Sequence, residues 1–117
     1  MIAPPPGVRV LIWSQPIDFR AGMDRLAALV QLTLRKDPFA GDVYVFRSRR
    51  CDRVKCLIFD GSGLVLVTKR LERGHFHWPP VNDGLVRLAP VQLSVLLSGL
   101  PWDRLRVREI ERPKAAC

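Results

Sequence analysis

The chain has 117 residues, of which 48% are apolar, and its 19 Lys and Arg residues against 11 Asp and Glu give a formal charge of +8. This length is that of one small domain, and the apolar share is sufficient for a hydrophobic core, which excludes a wholly disordered chain. No apolar run approaches the roughly 20 residues of a membrane-spanning helix, and the N-terminal segment lacks the pattern of a secretory leader. Cys51, Cys56 and Cys117 form no disulfide-like pattern, so we expect a cytoplasmic protein.

The N-terminal part of the chain predicts a strand followed by a helix. A Pro-rich lead-in at residues 3–7 precedes the apolar segment 8–13, which has the character of a strand. A helix follows, with Asp18 as its candidate N-cap and Asp37-Pro38 at its end. Its apolar face has the spacing of a helix and consists of Leu26, Leu29, Val30 and Leu34.

The centre of the chain predicts a short strand at residues 43–46 and then a β-hairpin. Segments 54–59 and 64–70 flank Asp60-Gly61-Ser62-Gly63, and a two-residue turn at Gly61-Ser62 would pair Arg53 with Arg70. Alternation then predicts a core face of Val54, Cys56, Ile58, Val65 and Val67. The opposite face carries Phe59, Leu64, Leu57 and Leu66 near the turn, and Arg53, Lys55 and Arg70 at the open end.

The C-terminal part predicts a strand at residues 85–88 and a helix from Pro90 to about Ser98, with Gly99 as its left-handed terminator. The pattern after Asp103 does not distinguish a helix, a strand and a loose tail. We therefore predict one domain over residues 1–105 and a basic C-terminal tail over 106–117. The element order favours an α+β fold: a mostly antiparallel sheet of about five strands, with two helices packed on one face.

Most of the net charge lies in the centre of the chain, because residues 44–73 contribute +5 of the +8. A localised basic patch is typical of phosphate binding, since each neutralised phosphate releases counterions. Arg53 opposite Arg70 indicates an anion between them; the alternative is that both side chains extend into water. The candidate nucleic-acid contacts are Arg47, Arg49, Arg50, Arg53, Lys55, Lys69, Arg70 and Arg73.

No pattern of catalytic or metal-binding residues is present. The cysteines do not have the spacing of a zinc knuckle, so with His75 and His77 they predict no metal site. The acidic residues are scattered singly, and the sequence has neither a Gly-rich phosphate loop nor a nucleophile elbow. We therefore predict a non-enzymatic protein without a cofactor. Trp78, beside the basic block, is a candidate for base stacking, although core packing is the better interpretation for all three tryptophans.

A series of short motifs in the same order resembles the accessory protein called TnpB, or second open reading frame, of insertion sequences of the IS-sixty-six type. This family is unrelated to the RNA-guided nuclease of the same name. The resemblance runs from about residue 5 to residue 105, and two positions depart from it: His75 replaces a basic residue, and Ala89 replaces a Ser or Thr N-cap, at a cost of roughly 1 kcal/mol. The motifs are Gly7-Val8-Arg9-Val10, Asp18-Phe19-Arg20-Ala21-Gly22-Met23-Asp24, Asp37-Pro38, Asp42-Val43-Tyr44-Val45-Phe46-Arg47, Thr68-Lys69-Arg70-Leu71-Glu72-Arg73-Gly74, Phe76, Trp78-Pro79, Gln92-Leu93, Leu96-Leu97, Gly99 and Trp102.

The resemblance implies a non-catalytic factor that is required for transposition in the bacterial cytoplasm. Its implied partners are a separate, larger transposase and a second small accessory protein of the same element. With the basic patch, this favours DNA binding at the element ends. The alternative is a protein adaptor that docks on the transposase without contacting DNA, using the apolar hairpin end of Phe59, Leu64, Leu57 and Leu66.

Overall fold

The apolar alternation of the strand segments produces a sheet with a hydrophobic core on each of its faces. The computed structural model describes residues 7–82 and 84–104, so the tail predicted at 106–117 and the lead-in before Gly7 lie outside the described residues. None of the helices in these two stretches is long and apolar enough to cross a membrane. The elements in chain order are β1 (Val10–Trp13), α1 (Met23–Leu32), β2 (Val43–Arg47), β3 (Arg53–Phe59), β4 (Leu64–Arg70), β5 (Leu85–Leu88), α2 (Pro90–Leu97) and a 3₁₀ turn at Trp102–Arg104.

The strands described form one five-stranded sheet in the order β4-β3-β2-β1-β5. The pairing of β1 with β2 is parallel, because α1 carries the chain from the end of one strand to the start of the other. The pairs β2-β3, β3-β4 and β1-β5 are antiparallel. The predicted α+β class with a mostly antiparallel sheet is therefore confirmed.

The two helices lie on opposite faces of the sheet, and the prediction that both pack on one face is wrong. Val10 and Ile12 of β1 belong to a core that includes Leu93 and Leu96 of α2. Leu11, between them, belongs to a second core that includes α1. Since neighbouring side chains of a strand point to opposite faces, the two cores lie on either side of the sheet. Both faces of β2 are buried, as expected for a strand that lies between two cores.

Helix α1 begins without a side-chain cap. Its N-cap is Gly22, whose position makes no side-chain capping bond, and the predicted cap Asp18 instead binds Arg20 in the preceding loop. The helix ends earlier than the apolar spacing predicted. Arg35 has φ 56°, and this left-handed residue redirects the chain before Asp37, so Leu34 packs against the α1 core from outside the helix.

The β3-β4 hairpin has the predicted register, with Arg53 opposite Arg70 and Phe59 opposite Leu64. Its turn is stabilised by Asp60, whose carboxylate accepts hydrogen bonds from the backbone amides of Ser62 and Gly63 at 2.9 Å. These bonds also lower the pKa of Asp60 below its usual range, because they favour the charged carboxylate. The turn chemistry was therefore sufficient to set which side chains share each face of the hairpin.

Helix α2 has a cap at each end. Ala89 offers no hydroxyl at the N-cap, but its backbone amide donates to the Gln92 side-chain carbonyl at 2.9 Å, which supplies one of the two bonds of a capping box. At the other end Gly99 has φ 76°, and the Gly99 and Leu100 amides donate to the carbonyls of Leu96 and Val95. This is a Schellman motif, and it confirms Gly99 as the predicted terminator.

Gly99→Ala should destabilise the protein by about 1–2 kcal/mol, because a Cβ is disfavoured in the left-handed region. The added Cβ would also lie 3.2 Å from Cδ1 of Leu71. Gly63→Ala is the matched control, since a Cβ there meets nothing within 4 Å and its φ is not left-handed. Urea denaturation of both variants measures the difference, and equal free energies of unfolding would show that the Gly99 conformation carries no cost.

Candidate nucleic-acid interface

Backbone hydrogen bonds bring two basic segments together at one end of the sheet. The turn between β2 and β3 contains Cys51 and Asp52, and the Asp52 carbonyl accepts a bond from the Leu71 amide at 2.9 Å. The Cys51 carbonyl accepts another from the Phe76 amide at 2.7 Å. Residues 72–75 therefore loop outward from the same turn, with Gly74 at φ 74°. The segment that carries Arg73 lies beside the loop that carries Arg49 and Arg50.

Five of the eight predicted contacts have side chains that reach solvent at this end of the sheet. Arg49, Arg50, Arg70 and Arg73 are exposed, and Arg53 is partly exposed, with 35% of its side-chain surface accessible. We call this set, which consists of Arg49, Arg50, Arg53, Arg70 and Arg73, the basic end. Its members are arginines, whose planar guanidinium groups match the geometry of phosphate.

Two carboxylates lie within the basic end without neutralising it. Asp52 Oδ1 is 3.9 Å from Nε of Arg53, which is beyond hydrogen-bond distance. Glu72 Oε1 is 3.4 Å from Nη2 of Arg70, and both of these side chains are mostly exposed. An exposed pair such as Arg70–Glu72 is weak and is screened by salt. Five cations against two anions leave a net positive surface.

Arg47 lies in the core on the α2 face and is only 4% exposed. Its guanidinium carbon is 5.5 Å from the centre of the Trp78 ring, and its Nη2 lies 3.3 Å from Sγ of Cys51. Trp78 is itself fully buried, and its indole donates to the Cys51 carbonyl at 3.2 Å. Trp78 is therefore a core residue that supports the turn, as the core-packing interpretation predicted.

Lys55 lies on the α1 face, is 8% exposed, and holds the loop before α1. Its ammonium donates to the carbonyls of Phe19 and Ala21 at 2.7 and 2.8 Å. It also lies 4.7 Å from the centre of the Phe19 ring, in a cation–π arrangement. Because the acceptors are backbone carbonyls 36 and 34 residues away, no pattern in the sequence indicated this contact.

Lys69 projects from the α2 face, where its ammonium donates to the Leu97 carbonyl at 2.6 Å. This carbonyl is at the C-terminus of α2, where the helix dipole favours a positive charge. The eight predicted residues therefore divide into five at the basic end and three whose charged groups bind the protein itself, namely Arg47, Lys55 and Lys69.

The apolar hairpin end, the alternative docking surface, is largely covered by α1 and its neighbours. Leu57 is fully buried in the α1 core, and Leu64 and Leu66 pack against the same core. The Phe59 ring makes an edge-to-face contact with Phe39, at 5.5 Å between ring centres. Phe59, Leu64 and Leu66 nevertheless stay partly exposed, so docking through this surface stays a prediction.

The remaining candidate groups of the sequence are a buried thiol and the residues considered for a metal site. Burial raises the pKa of the Cys56 thiol to about 12, so this cysteine stays protonated and inert. Within 7–82 and 84–104, no group of three His, Cys, Asp or Glu residues is arranged to hold a metal ion.

These features define a small α+β protein with arginines gathered at one end of its sheet. Residues 8–107 match the family described as IS66 Orf2-like protein. The chain belongs to this family of accessory proteins of IS66-type insertion sequences, and the resemblance seen in the motifs is confirmed.

Two relatives from Sinorhizobium fredii (strain NBRC 101917 / NGR234) are similar over most of their length. The chain is 48% identical over 113 residues to the uncharacterized protein y4jC, which covers 97% of both chains. It is 44% identical over 95 residues to the uncharacterized protein y4hO, which covers 81% of this chain and 83% of the relative. No solved structure matches the chain significantly.

Lys55→Met should destabilise the protein by about 2–4 kcal/mol, because it leaves two carbonyls without their charged donor while keeping the aliphatic stem. Lys36→Met, at an exposed position, is the control and should change the free energy of unfolding by less than about 0.5 kcal/mol. Urea denaturation measures both values. If the two variants are equally stable, the Lys55 ammonium does not hold the loop before α1.

Proposed function

We propose that this protein is a non-catalytic accessory factor of insertion-sequence transposition that binds DNA through its basic end. The observation that carries the proposal is the convergence of five solvent-accessible arginines on one end of the sheet. Family membership supports the context, since the family is that of an accessory protein of IS66-type elements. The transposase and a second small accessory protein of the same element are the proposed protein partners, in the bacterial cytoplasm.

The arrangement of donors favours contacts with the phosphate backbone over contacts with bases. Arg53 and Arg70 are paired on neighbouring strands. The Cβ atoms of such a pair lie about 5 Å apart. Nε of Arg53 makes no hydrogen bond among the described residues, and the Asp52 carboxylate lies 3.9 Å from it. Trp78 is fully buried, which leaves it unable to stack on a base. The basic end therefore has the chemistry to position a nucleic acid rather than to read its sequence.

The double variant R53A/R70A should weaken binding to duplex DNA, because it removes two paired cations from the basic end. Affinity is measured over a salt series by fluorescence anisotropy, and the slope of log K against log salt should lose about 0.9 for each phosphate contact removed. The matched control K36A/R87A removes the same charge from two exposed positions outside the basic end. It should leave the slope unchanged.

Three outcomes would count against this proposal. Equal loss of slope in both double variants would mean that binding follows net charge and not the basic end. Absence of binding to duplex, single-stranded DNA and RNA at about 50 mM salt, where electrostatic binding is strong, would favour the adaptor function. Cleavage of element ends by the purified protein with magnesium would show that it is a catalyst.

A further inference from the structure

An open apolar groove of about 420 Å³ lies between α1 and the loop that precedes it. Trp13 and Ile17 line one side of this groove, and Leu29 and Leu32 of α1 line the other. The buried residue Leu26 is also part of its lining. We call this feature the α1 groove. Its volume is within the range of about 300–1,000 Å³ that is typical of ligand pockets.

The α1 groove leaves several apolar side chains in contact with water. Leu32 is 75% exposed, which makes it the most exposed large apolar side chain in the part of the chain that the structure describes. Single exposed leucines are common, but Leu32 is continuous with the partly exposed Trp13, Ile17 and Leu29, and contiguous patches mark interaction sites. The small side chain of Ala28, also in the lining, permits close approach of a second helix to α1.

The charges at the rim favour an acidic occupant. Asp18 and Arg25 both line the groove, but Asp18 is already bound by Arg20, whose Nη2 is 2.8 Å from its carboxylate. The hydrogen bonds from Arg20 lower the pKa of Asp18 well below its usual range, so this pair stays charged and mutually neutralised. Arg25 is exposed; its charge also contributes to lowering the pKa of Asp18, but no ion pair within 4 Å involves it among residues 7–82 and 84–104. The rim therefore presents one guanidinium that a carboxylate could bind.

We propose that the α1 groove binds an acidic amphipathic helix of a protein partner. The partner's apolar residues, spaced three and four positions apart, would lie against Trp13, Leu29 and Leu32, and a neighbouring carboxylate would bind Arg25. A second copy of this chain is a poorer occupant, because it would bring another net charge of +8 to the same rim. The inference rests on the proposed function in one respect: the partner is taken to be the transposase of the same element.

The three tryptophans allow occupancy of the groove to be observed directly. Trp78 and Trp102 are 0% and 2% exposed, whereas Trp13 is partly exposed and lines the groove. The full chain is labelled with 5-fluorotryptophan and titrated with the purified, unlabelled transposase while the ¹⁹F signals are recorded. The Trp13 signal should shift and become protected from solvent, and the signals of the two buried tryptophans should move little.

Charge and polarity changes at the rim and wall test which residues bind the partner. L32E and R25E should each weaken transposase binding by about tenfold or more, as expected for anchor residues of an interface. Both replace accessible side chains, so the fold is expected to persist, and circular dichroism with the ¹⁹F spectrum of the free variants verifies this. The matched controls are Q31E on α1 and K36E, which change exposed positions outside the lining and should bind normally.

Several results would overturn the inference. One is binding of the transposase without a shift of the Trp13 ¹⁹F signal. The others are an equal loss of transposase affinity in the variants and their controls, and the absence of transposase binding. A Trp13 signal that is already protected from solvent in the free chain would also overturn it, as would a Trp13 signal that shifts when the chain self-associates. In both cases the groove would have another occupant. Failure of the proposed DNA binding would be seen separately, because R53A/R70A changes no residue that lines the groove.

Discussion

The two neighbouring carbonyls of Cys51 and Asp52 are the constraint on which most of this structure depends. They accept hydrogen bonds from the amides of Phe76 and Leu71 and from the Trp78 indole. These bonds bury Phe76 and Trp78 in the α2 core, and the same bonds bring the segment between Leu71 and Phe76 back to the turn before β3. The core on one face and the gathering of arginines at one end are therefore consequences of the same contacts.

The positive charge of this chain has two separate physical roles. A cation leaves water at low cost only where carbonyl oxygens or an aromatic ring replace its hydration. Lys55 has two carbonyls and a ring, Lys69 has the Leu97 carbonyl at the end of α2, and Arg47 has the ring of Trp78. These three charges stabilise loops and helix ends. The net charge of +8 thus overstates the charge available to a ligand, and the arginines of the basic end are the part that remains accessible.

Helix α1 explains why the expected docking surface and the observed apolar surface differ. It lies over the face of the hairpin that carries Leu57, Leu64 and Leu66, so that apolar strip is partly covered. The helix is only 10 residues long, and it packs against the sheet through Leu26, Ala27 and Val30. Its other flank, with Leu29 and Leu32, remains partly open beside the preceding loop. The partial covering of the hairpin strip and the exposure of Leu29 and Leu32 are two results of the same packing of α1.

The sequence by itself determined the elements and the hairpin register, because turn chemistry and side-chain alternation are local properties. The Asp60 turn set Arg53 opposite Arg70, and Gly99 ended α2 in the predicted way. The tertiary structure alone decided that the helices cover opposite faces, that Lys55 reaches Phe19 and Ala21, and that α1 leaves a groove. Each of these depends on contacts between segments far apart in the chain, and the same alternating pattern is compatible with either face of a sheet. Charge counting located the basic block, but only packing separated the cations that hold the fold from those that face solvent.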